Sequence, residues 1–528
     1  ETVALASVGD LAGLLDASWI RLRPSGRYDM HELVRQYCEA HLAEDPAADE
    51  ARSRYATFFG DFISRLTKGM NYNNAVMDEL MADFGNLELA WYWGVEHGRM
   101  VMVLEIAISL YFIADMLGRY RFALESSTPI MAALARTIAA PDTSTEVRHS
   151  ARFVLAWMNN FVASLHNQLG QTVQARDAVE SSCRLAVGLN ASRERDEMVL
   201  LAAWPGAWLT FTLGDVAWAQ RVFAGYLASF EVAKHDFTLC PPEIGGRFWV
   251  AHALAALGSC ETALGNYAAA MAWWRQVVAL RADIGEQRFL AFNLFDYAET
   301  VTLLGDLAEA QELTQRGLSF SKSFGDIMST AEGNQRLGTI AVEQGQWVIA
   351  ETYLNQALAV GRQSGNRGLM VGSLVALAKA ALGAGDSARA LALCNEALAV
   401  ASVSLPYVGL APVLLRFGEC ALAENDLPAA RRYFLQALGQ APNCPAWSTL
   451  DALWGIAQVL AAGDDVAAAA QVARQVAQDP ATSAATRAAI GRWFPAIFAQ
   501  GVSGAPVTDD HVTAEQERSL LIAALVDT

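Results

Sequence analysis

The feature that most constrains this chain is a turn phrase that recurs along most of its length. A small or apolar residue precedes Gly, and Asp, Asn, Gln or Arg follows it; the turn residues are Gly118, Gly170, Gly214, Gly265, Gly305, Gly345, Gly385 and Gly463, with Asn425 in place of glycine in one further copy. Gly and Asn are the residues that tolerate a left-handed backbone. From Gly265 to Asn425 the phrase recurs every 40 residues, and the remaining intervals range from 38 to 52. Such a period is typical of stacked helical hairpins with variable loops.

A fixed alanine follows every turn. It stands five residues after the turn residue in all nine copies, at Ala123, Ala175, Ala219, Ala270, Ala310, Ala350, Ala390, Ala430 and Ala468. A small residue early in the second helix of a hairpin lets the paired helix approach closely, and a larger one would overpack the contact by ~1–3 kcal/mol. The pattern therefore predicts an all-α fold.

Length and charge narrow the class of protein further. The 528 residues exceed what one core usually serves, which favours an array that grows by stacking. The net charge of -18 and the few scattered lysines oppose nucleic-acid binding. Charged residues interrupt the apolar runs before the ~18 residues that a membrane span requires, and no signal peptide opens the chain. We expect a cytoplasmic protein without membrane contact, and a fragment whose natural N-terminus lies upstream of Glu1.

One stretch carries a specific family pattern. Leu337-Gly338-x-x-Ala341-x-x-x-Gly345-x-Trp347-x-x-Ala350-x-x-x-Leu354-x-x-Ala357-Leu358 resembles the tetratricopeptide repeat, and the stretch from Phe417 to Ala437 repeats it. The period exceeds the usual ~34 residues, so each helix should be longer. The resemblance implies a superhelix over residues 117–500, similar to the sensor arrays of large bacterial regulators.

Residues 1–45 follow a different pattern. An apolar helix through Leu14 precedes two short β segments around a turn at residues 24–26, and a helical pattern follows from Glu32. Helix, hairpin and helix are typical of the end of a winged-helix domain, and residues 46–116 read as a helical linker. Met30-His31-Glu32 resembles the Met-His-Asp motif of STAND proteins, the signal-transduction ATPases, with Glu for Asp.

The STAND resemblance has specific implications. It implies that His31 reaches the β-phosphate of ADP and helps to hold a resting state closed; the alternative is that His31 merely starts a helix. Asn86-Leu87-x-x-Ala90-Trp91-x-Trp93 resembles a second phrase of these regulators. The sequence contains no G-x-x-x-x-G-K-[ST] motif, so ADP or ATP is expected only in an upstream nucleotide-binding domain of the same protein.

Catalytic patterns are missing from the sequence. The eight histidines show no metal-ligand spacing, and neither H-E-x-x-H nor G-x-S-x-G occurs. We therefore predict neither an enzyme nor a metal site. Residues 501–528 read as a linker and one terminal helix, Ala514 to Val526, which is too short and acidic to bind DNA.

Candidate ligand contacts follow from the register of the first helices. In tetratricopeptide arrays the first helix of each hairpin lines the concave surface, and contact residues recur every three or four positions. Counting back 13, 10 and 6 residues from the turns gives a set of positions that includes Leu415. The candidates taken from this set are Trp157, Asn160, Trp204, Trp208, His252, Phe292, Phe295, Glu299, Glu332 and Gln335. Aromatic area with sparse polar groups is what a ligand site needs. The alternative is that the aromatic members are core residues.

Two functions fit these patterns. The first is the inducer-sensing and autoinhibitory arm of a STAND switch, in which a small-molecule or protein inducer binds the concave face and releases the upstream domain. This requires the inducer to bind the open state better than the closed one. The second is a constitutive scaffold for a protein or peptide. A compact aromatic pocket would favour the first function, and a long polar groove with several basic residues would favour the second.

Overall fold

The computed structural model describes residues 7–23, 26–66, 74–189, 193–233, 245–401, 410–440, 444–495 and 522. They fold into 24 helices and one two-stranded sheet. The chain divides into two compact units: unit 1 comprises residues 1–112 and 125–155, and unit 2 comprises residues 113–124 and 156–528. The all-helical repeat fold predicted from the turns is confirmed. The domain limits at residues 45, 116 and 500 stay predictions, and the predicted terminal helix lies outside the described residues apart from Ile522.

The elements follow one another in chain order. Those whose residues belong to unit 1 are α1 (Val8–Asp16), β1 (Ile20–Leu22), β2 (Tyr28–Met30), α2 (Glu32–Glu44), α3 (Ala48–Leu66), α4 (Asn74–Ala82) and α5 (Phe84–Glu96). Three helices have residues in both units: α6 (Met100–Leu117), α7 (Tyr120–Ala139) and α8 (Thr145–Gln168).

Unit 2 continues with helices in pairs. They are α9 (Thr172–Val187), α10 (Arg193–Thr212), α11 (Val216–Ala233), α12 (Gly245–Leu264), α13 (Tyr267–Asp283), α14 (Gln287–Leu304), α15 (Leu307–Phe324), α16 (Ile327–Glu343), α17 (Trp347–Ser364), α18 (Arg367–Gly383), α19 (Ser387–Ala401), α20 (Ala411–Ala423), α21 (Leu427–Leu438), α22 (Ala446–Ala462), α23 (Val466–Gln478) and α24 (Ala484–Trp493).

Unit 1 begins with the predicted helix, hairpin and helix. β1 pairs antiparallel with β2, with Ile20 opposite Met30, so the hairpin prediction is confirmed. In the predicted linker, Tyr55 on α3 donates a hydrogen bond to Asn86 Oδ1 at 2.8 Å, and Trp91 on α5 is buried. The phrase around Asn86 and Trp91 therefore builds the contact between α3 and α5.

Helix α6 qualifies our expectation about membranes. Among the described residues, Met100–Leu117 is long and apolar enough to cross a bilayer by length and composition. Its mean hydropathy is 2.0 even though it contains Glu105 and Asp115. More than half of this helix, 56%, is buried within the protein, as in the core helices of globular proteins.

The turns of unit 2 show the predicted left-handed backbone. Predicted turn residues from Gly118 to Asn425 have φ between 58° at Asn425 and 98° at Gly214. The last turn differs: Gly463 has φ -90°, and the left-handed residue is Asp464 at 68°. The prediction of Gly463 as the turn residue was wrong by one position, because Gly tolerates both signs of φ and so does not mark the left-handed site uniquely.

The alanine rule is explained by close helix pairing. Ala270, Ala310, Ala350, Ala390 and Ala430 are all fully buried. In the last hairpin the fully buried residue is Ala469 rather than Ala468, five positions after Asp464. Gly338, also part of the repeat pattern, has no room for a Cβ, which would lie 2.5 Å from Leu354 Cγ.

One layer of helices lines the inner side of the array. The first helices of successive hairpins, α12, α14, α16, α18, α20 and α22, pack against one another in that order. Each also packs against its own second helix and the second helix of the preceding hairpin. In a curved stack of hairpins, the helices on the shorter inner arc are close enough to contact the equivalent helices of the neighbouring hairpins. These six helices therefore form the concave side of unit 2.

Candidate ligand-binding groove

Ion pairs connect neighbouring first helices along the inner layer. Arg336 on α16 lies 2.9 Å from the Glu299 carboxylate on α14, and Lys379 on α18 lies 2.6 Å from Glu343 on α16. Arg416 on α20 pairs with Glu419 one turn later, at 2.7 Å. All except Arg416 are partly exposed, so the pairs line a surface instead of being sealed between helices.

Carboxylates outnumber cations on this surface. The partly exposed acids are Asp296, Glu299, Glu332, Glu343, Glu419 and Asp451, and the cations among them are Arg336, Lys379 and Arg416. Each ion pair accounts for one acid, so the groove has a surplus of carboxyl groups, which carry negative charge when they ionise.

The surplus charge changes proton binding. Burial raises the pKa of Glu332 to about 8, and the carboxylates of Asp296, Asp326 and Asp115 also favour its protonated form. Burial likewise raises the pKa of Asp296 to about 7, against the opposing charge of Arg336. Burial also raises the pKa of Glu419 and of Asp451, although Thr486 donates a hydrogen bond to Asp451 at 2.5 Å.

An aromatic cluster occupies the amino-terminal part of the inner layer. The His252 ring centroid on α12 lies 5.9 Å from Trp204 on α10 and 4.6 Å from Phe289 on α14. Phe289 in turn lies 6.3 Å from Phe292. His252, Trp204 and Phe292 are each partly exposed. The structure therefore places three sequence candidates, Trp204, His252 and Phe292, in one series of ring contacts that includes Phe289.

Two arginines set the charge of this cluster. Arg281 is fully buried, with its guanidinium 5.1 Å from the Phe248 ring and 5.2 Å from the Phe289 ring, and 3.6 Å from Glu286. Arg288 lies over Phe292 at 5.5 Å. Burial lowers the pKa of His252 well below its usual value, and the positive charges of Arg281 and Arg288 lower it further. His252 is therefore neutral at physiological pH.

The other sequence candidates lie in different surroundings. Phe295 is buried against Gly317, Gly333 and Leu318 between helices, as the core alternative predicts. Gln335 donates hydrogen bonds to Leu369 O and Ser373 Oγ, at 3.1 and 3.2 Å, and so bridges α16 and α18.

Three further candidates, Trp157, Trp208 and Asn160, lie mainly between helices. Trp157 on α8 is buried beside Phe161, at 5.0 Å between centroids, and Trp208 lies 5.3 Å from Phe223. Asn160 is 5% exposed, and its side-chain amide has no hydrogen-bond partner among the described residues.

His31 lies in unit 1 and caps a helix. It is exposed at the exit of the hairpin, and its Nδ1 accepts a hydrogen bond from the backbone N–H of Leu33 at 3.3 Å. This is the N-cap of α2. Helix capping was the alternative to nucleotide sensing for His31 in the sequence analysis. The structure shows the cap, and because the ring is also exposed, the same residue can contact a bound group.

Several groove residues escaped the sequence reasoning. Asp296, Arg336 and Arg416 stand nine residues before their turns, whereas we counted back ten and reached Phe295 and Leu415, which are buried. Positions 13, 9 and 6 share one helical face, so the recurring charge at position 9 was the available signal. Asp451 was missed because the last turn was placed at Gly463; it lies 13 residues before Asp464.

The described residues contain no cluster of three or more His, Cys, Asp or Glu side chains arranged to hold a metal ion. The ion pairs of the groove connect acids to Arg or Lys, and the imidazole of His252 contacts the rings of Trp204 and Phe289. The groove therefore offers recognition by charge and aromatic contact.

Comparison with known proteins bears on the fold. No protein-family model matches the chain, and no curated protein matches it. A solved structure of a Rap protein complexed with Competence and Sporulation Factor is 11% identical, with a TM-score of 0.51, over 74% of this chain and 99% of the Rap chain. A STAND protein with a tetratricopeptide repeat sensor from Pyrococcus horikoshii is 12% identical, with a TM-score of 0.45, over 83% of this chain and 58% of its own. At such identities the Rap likeness shows the fold alone, which is that of a tetratricopeptide-like helical repeat protein.

Proposed function

We propose that unit 2 is a sensor that binds a ligand carrying positive charge along its inner layer. The observation that carries this proposal is the surplus of partly exposed carboxylates on consecutive first helices, next to the cluster of Trp204, His252 and Phe292. Burial is the main cause of the raised pKa of Glu332 and of Asp296, and a cationic group beside them would favour their ionised form. Rings and a neutral imidazole would supply apolar contact area at the end of the groove.

We further propose that the whole chain is the sensing and autoinhibitory arm of a STAND ATPase switch. In this account a small-molecule or protein inducer binds unit 2 and releases a nucleotide-binding domain of the same protein, which operates in the cytoplasm. Support comes from Met30-His31-Glu32 at the hairpin exit, where the exposed ring of His31 is available to a bound ADP.

The surface around His31 supports a domain partner for unit 1. Large apolar side chains of α1, the hairpin and α2 are exposed, namely Val8, Leu14, Trp19, Leu22, Tyr28, Leu33, Tyr37 and Leu42. Trp19 and Tyr37 contact each other, and exposed apolar side chains that cluster in this way are typical of an interaction site. A nucleotide-binding domain that covers it would place ADP next to His31.

A constitutive peptide scaffold is the second candidate. The groove is long and polar along α14 to α22, as a peptide scaffold predicts, and the Rap structure that shares the fold holds Competence and Sporulation Factor. The aromatic cluster at one end favours a ligand with an apolar group beside its charge. A peptide that carries both features would satisfy either candidate, and only the response of the bound nucleotide separates them.

A thermal-shift screen tests ligand binding by this chain. The panel contains amines, guanidines and amino acids, together with short peptides matched in length but differing in charge. A ligand present at 100 times its dissociation constant stabilises the folded chain by ~2.7 kcal/mol. Stabilisation by cationic members, lost in a Glu299→Gln/Glu332→Gln variant and kept in Glu312→Gln on the exposed face of α15, is the expected result. Equal stabilisation by acidic peptides in all three proteins would refute the charge assignment.

A further inference from the structure

Unit 2 contains contacts between residues that are far apart in sequence, and one of them is a clamp formed by an arginine. Arg288 Nη2 donates a hydrogen bond to Asp115 Oδ2 at 2.5 Å, across 173 residues, and Arg288 Nε donates to Asp326 Oδ2 at 3.0 Å. The side chains of Arg288 and Asp326 are almost fully buried, and that of Asp115 is 21% exposed. The clamp therefore ties the end of α6 to the starts of α14 and α16.

Turn residues continue this line of contacts. Asn366 Nδ2 donates to Gln168 Oε1 at 3.1 Å, across 198 residues. A Cβ on Gly118 would lie 2.6 Å from Ser364 Cβ, and one on Gly170 would lie 2.8 Å from Arg367 Cδ. The turns at Gly118 and Gly170 thus lie directly on the turns that precede α16 and α18.

A second set of contacts lies further along the array. Tyr267 donates its hydroxyl hydrogen to Ala481 O at 2.8 Å, across 214 residues. A Cβ on Gly265 would lie 2.1 Å from Ala481 Cβ, and one on Gly305 would lie 2.6 Å from Ala484 Cβ. The turns before α13 and α15 therefore meet the segment that leads into α24.

Both sets join hairpins that are several 40-residue repeats apart, so they connect successive turns of the superhelix. We call the two sets together the seam. In the first set, residues 115–118 and 168–170 contact Arg288, residues 326–328 and residues 364–367. In the second set, residues 265–267 and 305 contact residues 481–484. The hairpins themselves are held by continuous apolar clusters such as Ala350, Leu354, Leu374 and Leu377. The seam instead depends on a few hydrogen bonds, one arginine clamp, small residues in close approach and single apolar side chains such as Met328 and Leu169.

We infer that the seam is a latch that opens without unfolding the hairpins and thereby controls the width of the groove. Parts of a protein held by few apolar contacts open before parts held by continuous apolar clusters, and the apolar contacts of the seam come from single side chains. Arg288 connects the latch to the groove, because it also lies over the rings of Phe289 and Phe292. A ligand that contacts Phe292 would change the surroundings of the clamp; this last step rests on the proposed function.

An opening variant tests the latch in the absence of ligand. Asp115→Asn removes one charge from the clamp and leaves the Arg288–Asp326 pair. Hydrogen exchange of the backbone amides in residues 326–330 and 364–369 should become about tenfold faster, because one charge-assisted hydrogen bond no longer opposes opening. The radius of gyration from solution scattering should increase, and helical circular dichroism should not change. Glu351→Gln, which breaks the 2.6 Å ion pair with Arg389 on the second helices, is the matched control.

A locking variant tests the same idea in the opposite direction. A Cβ on Gly170 would lie 3.7 Å from Arg367 Cβ, within the ~3.5–4.5 Å that a disulfide requires. Gly170→Cys/Arg367→Cys is made in the Asp115→Asn background and compared with itself, oxidised by diamide and reduced. The strain of a left-handed side-chain-bearing residue in place of Gly170 is present in both forms and cancels.

The two variants give a clear decision. The oxidised protein should return to the scattering profile of the native chain, and the reduced one should keep the expanded profile. The latch is wrong if Asp115→Asn leaves exchange in residues 326–330 and 364–369 unchanged, or if its faster exchange extends equally into the cores of α17 to α19, as global destabilisation would. Neither readout uses a ligand, so failure of the latch and failure of the proposed function are distinguishable.

Discussion

At the scale of single residues, the groove is defined by carboxylates that retain protons. Glu332 has its pKa raised to about 8 by burial and by three nearby carboxylates, and Asp296 lies next to Arg336 with a pKa of about 7. A carboxyl group that binds its proton more tightly in the folded chain destabilises that chain when it ionises. These two carboxyl groups lie on the surface where, in the proposed function, a cationic ligand binds.

The first prediction concerns Glu332→Gln. Because the pKa of Glu332 rises on folding, the wild-type chain loses stability as the pH rises from about 4.5 to about 8. The variant lacks this loss. We expect it to be more stable than wild type by about 2 kcal/mol at pH 9 and nearly equal at pH 4.5, less than the full linkage value because the side chain is partly exposed.

Chemical denaturation of both proteins at the two pH values measures this difference. Glu312→Gln, exposed on α15, controls for the loss of one negative charge elsewhere in unit 2. A stability gain in Glu332→Gln that does not depend on pH would mean that the pKa of this carboxyl is not raised.

At the scale of elements, the turn is the unit that the sequence specifies best. A left-handed position favours Gly or Asn, so most turns are visible as a repeated letter, and the buried alanine five residues later confirms the register. A second series of left-handed glycines, Gly285, Gly325 and Gly365, separates the hairpins and follows the same 40-residue period. The last turn was misplaced because Gly463 and Asp464 stand together and only the backbone angle distinguishes their roles.

The second prediction uses that distinction. Gly463 has φ -90°, and an added Cβ meets only ordinary contacts, so Gly463→Ala should stabilise the chain by about 0.4–1 kcal/mol through the unfolded state. Gly345 has φ 72° with nothing nearer than 3.7 Å to an added Cβ, so Gly345→Ala should cost roughly 1 kcal/mol from the backbone alone. Thermal unfolding of the two variants provides the comparison. Destabilisation of both variants by the same amount would mean that Gly463, and not Asp464, is the left-handed residue of the last turn.

The groove face shows where sequence reasoning fails at this scale. Positions 13 and 6 before each turn were assigned to the inner layer, and Glu299, Glu332 and His252 are indeed partly exposed there. Position 10 instead reaches Phe295, which fills the space above Gly317 and Gly333. A period of 3.6 residues does not decide between positions 9 and 10; the choice depends on how each helix is rotated against its neighbours, and only packing fixes that rotation.

At the scale of the whole molecule, the two units differ in how completely they bury their apolar residues. Unit 2 builds continuous apolar clusters along the array. In unit 1, α1 has no buried residue, and the hairpin and α2 expose Trp19, Leu33 and Tyr37. The sequence pattern identified helix, hairpin and helix, because alternation and turn residues are local. What covers their exposed faces is not a local property.

The third prediction tests the role proposed for His31. In a protein that joins this chain to the proposed nucleotide-binding domain, His31→Ala should speed release of bound ADP about tenfold or more, because a contact to the phosphate is lost. Fluorescence of an ADP analogue measures the release rate. His41→Ala in α2 is the control, since the His41 ring hydrogen-bonds to the backbone oxygen of Tyr37 and lies against the Tyr37 ring. Equal release rates in wild type and His31→Ala would leave His31 as a helix cap.

The measurement that tests the central claim most directly is a hydrogen-exchange footprint of this chain with the strongest cationic ligand from the thermal-shift panel. If the ligand occupies the inner layer, protection should appear on the first helices α12, α14 and α16, and it should be absent from Glu299→Gln/Glu332→Gln at the same ligand concentration. Protection confined to the outer helices α13, α15 and α17, or to the exposed apolar surface of residues 8–42, would contradict the account.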